Sequence, residues 1–258
     1  MSITAPTLRP RQPRLDLMGW TGVIPFLALG ALWFVAPLVT DIPPYKLPTI
    51  EKVWDTAIAM TLNGKLPNDI GISLGRLALG YLIGNAIAIP LGLAIALNRA
   101  VAETLRPVLS FFQSIAGIAW VPLAIIWFGV GEGSVLFVIA NTIFFASIYS
   151  TVIGVQSIEP VLYRAALCHG ASQRQILTDV VVPGALVQII VGLRTSMAYG
   201  WRALVAAEMI AGTSGIGYMT LEAVQWYQSE IVVLGMLVIG ILWIVLDRLI
   251  FVPIARLP

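Results

Sequence analysis

Long apolar runs alternate with short polar intervals along this chain. Four runs contain no charged residue: Leu17–Thr40, Leu77–Asn98, Pro107–Gly131 and Gly133–Ile158. Each is longer than the about 20 residues that an α-helix needs to cross the hydrocarbon core of a bilayer. Two further runs, near 184–211 and 231–251, carry a few charges but are otherwise apolar. The pattern predicts an all-α integral membrane protein with six transmembrane helices.

The predicted spans lie near residues 20–40, 73–98, 107–128, 134–154, 184–211 and 231–251. Composition agrees with burial in lipid, because 59% of the residues are hydrophobic and only 11% are charged, whereas soluble domains have about 25% charged residues. The Pro- and Arg-rich start does not resemble a signal peptide, since the apolar run behind it is too long for a signal h-region. We therefore expect residues 1–19 to be a cytoplasmic tail and residues 20–258 to form a single transmembrane domain.

The distribution of basic residues predicts how the spans are oriented. If the N-terminus is cytoplasmic, the outer segments hold only Lys46, Lys52 and Lys65. The inner segments then hold Arg9, Arg11, Arg14, Arg99, Arg106, Arg164, Arg174, Arg248 and Arg256, while Arg76, Arg194 and Arg202 fall within spans or at their edges. Because positive charge is enriched on the cytoplasmic side, both termini and the interval Tyr163–Gly184 are predicted to be cytoplasmic.

The interval Tyr163–Gly184 is the one long polar stretch between apolar runs in the second half of the chain. A helix-forming stretch, Arg164–Leu167, is broken at Gly170, where glycine permits a sharp change of direction. A second amphipathic stretch has apolar residues at helical spacing from Ile176 and halts at Pro183, a residue suited to the first turn of a new helix. The interval is predicted to form two short helices at an angle, facing water or a partner protein.

Arg164-Ala165-Ala166, Gly170, Val180 and Val182-Pro183 fall at the spacings of a known motif. The interval resembles the loop of bacterial ABC importer permeases written E-A-A, three residues, G, nine variable residues, I, one residue, L-P, with Arg164 in place of the glutamate and Val182 in place of the leucine. In that family the loop forms the coupling helix that docks in a groove of the cytoplasmic ATPase. The resemblance implies an ATPase-coupling role for Arg164, Ala165, Ala166, His169, Gly170, Ala171, Arg174 and Pro183. The alternative is an ordinary polar loop between two spans.

Two further segments resemble the nitrate, sulfonate and taurine branch of these permeases. They are IAWVPLAIIWFGVGE from Ile118 and LVAAEMI from Leu204, the latter followed by a Gly-rich turn. The Arg-Pro and Pro-Pro that often precede the AW in that branch are replaced by Gln113-Ser114 and Ala116-Gly117. The resemblance covers about residues 45–252 and implies the type I ABC importer permease architecture, with six transmembrane helices and a cytoplasmic coupling helix.

The same resemblance implies partners and a location. We expect a second copy of the chain, two cytoplasmic ATPase subunits that bind ATP and Mg²⁺, and a periplasmic or lipid-anchored solute-binding protein. The expected location is the bacterial cytoplasmic (inner) membrane. The expected function is to form the translocation path for a small anionic solute, such as a sulfonate, nitrate or bicarbonate.

Polar residues inside the predicted spans are candidates for the solute path, because they are costly in lipid and face protein or water-filled cavities instead. The candidates are Gln113, Ser114, Trp120, Asn141, Trp201, Arg202 and Glu208. The sharper hypothesis is that Arg202 attracts or binds an oxyanion. The alternatives are interhelical packing for the polar and aromatic residues and, for Arg202, contact with lipid head groups or pairing with Glu208 of a dimer mate.

Several activities are disfavoured by what the sequence lacks. It contains no GxxxxGK[ST] motif, so the chain is not expected to hydrolyse ATP. A single histidine and a single cysteine provide no metal-ligand pattern. Gly71–Gly75 matches the G-x-S-x-G of hydrolases, but His169 is predicted on the opposite membrane face. We predict no catalytic residue, metal site or cofactor in this chain and no nucleic-acid partner; the alternative function is an ion-coupled secondary carrier or channel without an ATPase.

Overall fold

The computed structural model describes residues 20–39, 43, 45–251 and 253, and this part of the chain contains helices and turns but no β-strand. The predicted tail, residues 1–19, lies outside the described residues. The α-helices are α1 (Trp20–Val39), α2 (Ile50–Leu62), α3 (Lys65–Leu97), α4 (Arg99–Gln113), α5 (Val121–Phe128), α6 (Glu132–Gln156), α7 (Pro160–Cys168), α8 (Gln173–Gln175), α9 (Val182–Ala211), α10 (Ile216–Gln225) and α11 (Ser229–Leu246). A 3-10 turn spans Gly117–Trp120, and π-helical turns span Ile176–Val181 and Asp247–Phe251.

Helices occupy the positions of the predicted spans. Within the described residues, four stretches are long and apolar enough to cross a membrane, namely Lys65–Leu97, Glu132–Gln156, Gln173–Ala211 and Ser229–Phe251. A fifth is formed if α4 and the segment Gly117–Phe128 count together as one span. The apolar helix α1 covers the first predicted span and is joined to the stretch before α2, since the indole N–H of Trp33 donates to the Pro48 carbonyl at 3.0 Å.

The stretch of the third predicted span, 107–128, is bent in the structure. α4 begins earlier, where the side-chain oxygen of Asn98 accepts hydrogen bonds from the backbone N–H groups of Ala100 and Val101. It ends at Gln113, and after residues 114–116 the chain resumes at an angle of 91° to α4. The run is uncharged on both sides of the bend, so its hydropathy carries no sign of the break.

The centre of the bundle is formed by α3, α6 and α9, which pack closely because small residues lie where they cross. A Cβ atom at Gly84 of α3 would lie 2.8 Å from the Ala140 carbonyl oxygen of α6. A Cβ atom at Gly200 of α9 would lie 2.6 Å from the side chain of Ile143, which is fully buried between the two neighbouring helices. Any larger residue at these two glycines would push the helices apart.

The bundle has two distinct ends, which we name after their turns. The Gly170 end contains α7, the turn after it and the last turns of α3 and α6, which share one apolar cluster. The Gly215 end contains residues 212–217 and the first turns of α3 and α6, and there the Gly131 N–H donates to the Ala211 carbonyl at 2.8 Å. The segment 212–230 contains the helix α10, which packs against α9 and α11.

Candidate functional site

A turn of well-defined geometry follows α7 at the Gly170 end. The backbone N–H of Gly170 donates to the Leu167 carbonyl at 3.0 Å, and that of Ala171 donates to the Ala166 carbonyl at 3.1 Å. This pair of bonds is a Schellman motif, which terminates a helix with a glycine in the left-handed region. Gly170 has a φ of +75°, which glycine adopts without the steric cost that a Cβ atom would bring. The chain therefore reverses direction at the glycine where the sequence predicted a break.

A second helical segment begins directly after this turn. The hydroxyl oxygen of Ser172 accepts from the Gln175 backbone N–H at 3.4 Å, and the side-chain oxygen of Gln175 accepts from the Ser172 backbone N–H at 2.8 Å. This reciprocal pair is a capping box, which fixes the start of a helix. The two arms, Pro160–Cys168 and Gln173–Val181, are therefore joined by local interactions; together we call them the hairpin.

The second arm does not halt at Pro183, so that part of the prediction is wrong. Residues Gln173–Ala211 form one continuous helical stretch. In the π-helical turn Ile176–Val181, the backbone hydrogen bonds join residues five positions apart instead of four. The Val182 N–H therefore donates to the Leu177 carbonyl. Pro183 lies in the first turn of α9, where its missing N–H is tolerated. The hairpin arm and the fifth span are thus a single element.

The residues assigned to ATPase coupling lie on two faces of the hairpin and at the start of α9. The exposed ones are Arg164, Ala165, His169, Gly170, Arg174 and Pro183. Ala166 and Ala171 are half-buried and pack on an apolar cluster that includes Val155 and Ile176. Val161 and Leu162 add exposed apolar surface on α7, at 58% and 50% exposure. The hairpin therefore presents a mixed basic and apolar surface while its inner face is attached to the bundle.

A cavity of about 310 Å³ lies at the bend between α4 and the 3-10 turn; we call it the break cavity. Its lining residues are Gln113, Ile115, Ala116, Gly117, Asn141, Thr142, Phe145, Ala146 and Tyr199. Two predicted path residues, Gln113 and Asn141, are therefore brought together across α4 and α6. Neither side chain has a hydrogen-bond partner among the described residues. Unwound backbone inside a membrane is tolerated where it lines a water-filled cavity, which fits this location.

A second cavity, of about 280 Å³, lies between α9 and the last turns of α11; we call it the arginine cavity. It shares Tyr199 with the break cavity and contains Arg202, whose guanidinium carbon lies 5.6 Å from the centre of the Tyr199 ring. Within the described part of the chain, no carboxylate lies within ion-pair distance of Arg202. Arg194 in the same cavity is held by Asp247 through two hydrogen bonds of 2.7 Å. Asp247 thus joins the end of α11 to α9.

The other predicted path residues line neither cavity. Trp120 packs against Phe112 and Phe137, and its indole N–H is buried without a partner among the described residues. Ser114 is exposed at the bend. Trp201 and Glu208 are buried inside the protomer, at 4% and 0% exposure. For Glu208, this placement contradicts a role in lining a path in the conformation described here.

The partner of Glu208 is Arg76, which sequence reasoning treated only as a charge inside a span. Arg76 Nη1 donates to Glu208 Oε1 at 3.0 Å, and its Nε and Nη2 donate to Glu132 Oε2 at 3.0 and 2.8 Å. Glu208 also accepts from the Ser73 hydroxyl at 2.8 Å and from the Gly217 N–H at 2.9 Å. We call these five residues the Arg76 clasp. Because the clasp encloses the Glu208 carboxylate, Arg202 of a dimer mate cannot be its counter-ion in this conformation.

Comparison with known proteins identifies the family. A family model described as the binding-protein-dependent transport system inner membrane component matches residues 88–254. The taurine transport system permease of Escherichia coli (strain K12) is 34% identical over 85% of this chain and 82% of its own length. The bicarbonate transport system permease of Synechococcus elongatus is 34% identical over 93% of this chain and 90% of its own length. A putative aliphatic sulfonates permease of Bacillus subtilis (strain 168) is 29% identical over 90% of this chain and 84% of its own length.

The fold is similar to that of a solved transporter. A chain of the MetNI methionine ABC transporter, in an inward-facing conformation, superimposes with a TM-score of 0.59 and 16% identity, covering 73% of this chain and 96% of that one. At this identity the similarity bears on fold alone, and it agrees with the type I permease architecture expected from the sequence. The chain therefore belongs to the family of binding-protein-dependent transport system inner membrane components and is an ABC transporter permease of the nitrate, sulfonate and taurine type.

Proposed function

We propose that this permease forms the translocation path for a small anionic solute, delivered by a solute-binding protein and driven by ATPase subunits that dock on the hairpin. The observation that carries the proposal is the continuity of Gln173–Ala211. One end of this helical stretch is an exposed arm of the hairpin, and its middle contributes Tyr199 and Arg202 to the two cavities. A force applied to the hairpin therefore acts on the residues that line the cavities.

In this proposal the Gly170 end is cytoplasmic, and two copies of the chain, related by two-fold symmetry, present one hairpin each to two ATPase subunits. The ATP and Mg²⁺ are bound by those subunits. The inner face of the hairpin packs on Val155 and Ile158, and close-packed interiors transmit displacement because they have little free volume. Closure of the ATPases would thus move α6 and α9 together and open the path toward the binding protein.

The unpaired arginine of one cavity and the amide groups of the other favour an anion. A charged side chain in the middle of a span costs about 2.5–3.5 kcal/mol on insertion scales, and Arg202 has no carboxylate partner among the described residues to offset that cost. Gln113 and Asn141 each carry amide N–H donors that are free in the break cavity. A sulfonate, nitrate or bicarbonate would accept hydrogen bonds from these donors and neutralise the arginine. The taurine, sulfonate and bicarbonate named for the relatives are consistent with this chemistry.

Replacing Arg202 by glutamine should lower the rate of solute uptake by roughly tenfold or more, because a hydrogen bond to a charged group contributes about 1.5–3 kcal/mol. The measurement is uptake of labelled taurine, nitrate or bicarbonate into proteoliposomes that contain the permease with its ATPase and binding protein. The matched control is Arg248→Gln, which removes an exposed arginine that lines neither cavity. Equal uptake by the two variants would contradict an anion site at Arg202.

The same proteoliposomes distinguish this function from that of a secondary carrier or channel. We expect no uptake when the ATPase is omitted or when its ATP is replaced by a non-hydrolysable analogue. A carrier coupled to protons or sodium ions would need an ionisable group free to exchange them, but the Glu208 carboxylate is occupied by the clasp. Uptake driven by an ion gradient without ATPase would overturn the proposal.

A further inference from the structure

The lining of the arginine cavity contains two arginines and one carboxylate, so one arginine is left without an ion pair. The carboxylate of Asp247 is occupied by Arg194, because its Oδ1 accepts from Nε and its Oδ2 from Nη2, both at 2.7 Å. Arg202 has neither an ion-pair partner nor a hydrogen-bond acceptor among the described residues. An arginine side chain has many rotamers of similar energy. Binding an anion at one defined place therefore requires another contact that holds this guanidinium.

The ring of Tyr199 provides that contact. The guanidinium carbon of Arg202 lies 5.6 Å from the centre of the ring, within the about 6 Å over which an aromatic face attracts a cation. Tyr199 precedes Arg202 by three positions on α9, and long side chains on a helix point back over the preceding turn. Ala198, four positions before Arg202, has no polar side-chain atom. The local sequence thus directs the arginine side chain toward the tyrosine ring.

A contact with a ring face leaves the hydrogen-bond donors of the arginine available. An ion pair uses those donors, as Asp247 does with Arg194 in the same cavity. The guanidinium of Arg202 keeps its N–H groups without an acceptor among the described residues, and their fork geometry matches that of an oxyanion. Tyr199 itself is 49% exposed and lines the break cavity as well. The charge is therefore held beside the wall that the two cavities share.

We propose that Tyr199 is a positioning residue for the transported anion, because its ring holds the guanidinium of Arg202 at the place where the anion binds. This inference rests on the proposed function, since it takes Arg202 as the anion-binding group. It goes further in assigning a role to a residue that acts through Arg202 and does not need to touch the solute. A guanidinium that is already placed loses less side-chain entropy when the anion binds, so less of the interaction energy is offset.

The first test is a double-mutant cycle with Tyr199→Leu and Arg202→Gln, measured as uptake of labelled taurine, nitrate or bicarbonate. The transporter is reconstituted with its ATPase and a saturating amount of loaded binding protein. Tyr199→Leu removes the ring and should lower uptake by about three- to tenfold, the range of a partly desolvated cation–π contact. In a chain that already carries Arg202→Gln, the same substitution should change uptake by less than about twofold, because the cation that it acts through is gone.

Two further readouts distinguish positioning from packing. Tyr199→Phe keeps an aromatic ring beneath the arginine and should restore most of the uptake that Tyr199→Leu loses. ATP hydrolysis stimulated by the loaded binding protein should stay within about twofold of the unaltered transporter in both variants, because the hairpin is untouched. The number of solute molecules transported per ATP should therefore fall only where the ring is lost. A packing defect would lower uptake and ATP hydrolysis together.

A second measurement keeps the shape of the ring and so does not depend on how well the leucine variant folds. Phenylalanines with one, two and three fluorine atoms on the ring are incorporated in place of Tyr199. Fluorine withdraws electron density from the ring face and weakens its attraction for a cation, while the volume of the side chain changes little. Uptake per ATP should fall stepwise with the number of fluorine atoms. Uptake that is indifferent to fluorination would overturn the proposal.

The outcomes separate this inference from the proposed function. If Arg202→Gln impairs uptake while Tyr199→Leu does not, the anion site stands and the positioning role is wrong. If both impair uptake and their losses multiply in the double variant, Tyr199 acts independently of the charge, and the inference is again overturned. If Arg202→Gln leaves uptake unchanged, the proposed anion site itself fails, and the role of Tyr199 fails with it.

Discussion

Replacing Arg76 by glutamine should lower the free energy of unfolding of this permease by about 3–5 kcal/mol, the cost of leaving a buried charge without its partner. Arg76 and Glu208 are 2% and 0% exposed, and the Arg76 guanidinium is the one positive group of the clasp, while Glu132 and Glu208 are both negative. The variant would leave the Glu208 carboxylate buried with neutral donors alone. The measurement is chemical unfolding of the purified permease in mixed micelles.

Two further variants provide the comparison that tests this prediction. Glu208→Gln should cost clearly less than Arg76→Gln, because Arg76 keeps its hydrogen bonds to Glu132, which is partly exposed to solvent. Arg99→Gln breaks an exposed pair on the surface of α4 and should cost less than about 1 kcal/mol. Equal losses for the three variants, or none, would show that the clasp does not stabilise the fold.

The clasp also makes the two ends of the bundle differ in how their helices are held together. It joins α3, α6 and α9 to residues 214–217 at the Gly215 end, since Arg76 also donates to the Ser214 carbonyl at 2.7 Å. At the Gly170 end, in the part of the chain that the structure describes, these helices share an apolar cluster beneath the hairpin and no ion pair. Directional charged bonds therefore fix one end, while the packing at the other end can shift more easily. A force on the hairpin would then tilt the helices about the clasp.

The features that sequence alone predicted are those set by neighbouring residues. The apolar runs predicted where helices lie, because length and hydropathy are local properties. The turn after α7 was predicted from Gly170, and the hydrogen bonds of Ala171 and Gln175 show why it forms there. The motif spacing from Arg164 to Pro183 pointed to the family, which the comparisons confirm.

The features that sequence did not predict depend on how distant segments meet. Arg76 and Glu208 are 132 positions apart, so their pairing follows from the packing register of α3 and α9 and not from any local pattern. The bend after Gln113 occurs within an uncharged run, where hydropathy does not change. Tyr199, which lines both cavities, was not among the predicted path residues. The position of Arg76, a charged residue within a predicted span, was the one sequence signal that pointed to a buried ion pair.

Gly170→Pro should abolish ATP-driven uptake while leaving the permease inserted in the membrane. Proline fixes φ near −65°, whereas Gly170 has a φ of +75°, and the substitution removes the N–H that donates to the Leu167 carbonyl. The Schellman turn cannot form, so α7 loses its angle to Gln173–Ala211. We expect uptake and the coupling of ATP hydrolysis to the binding protein to fall to background, with detergent-extracted yield and helix content by circular dichroism nearly unchanged.

A matched pair of alanine variants separates coupling from backbone strain. Gly64, in the turn between α2 and α3, has a φ of +76° in the left-handed region, and no atom lies within 4 Å of a Cβ placed there or at Gly170. Alanine in the left-handed region costs about 1–2 kcal/mol, so the two variants should be destabilised to a similar extent. Only Gly170→Ala should reduce coupled ATP hydrolysis, because only that turn sets the angle of the hairpin. If Gly64→Ala uncouples transport equally, or if Gly170→Pro retains ATP-driven uptake, the hairpin is not the element through which the ATPase acts.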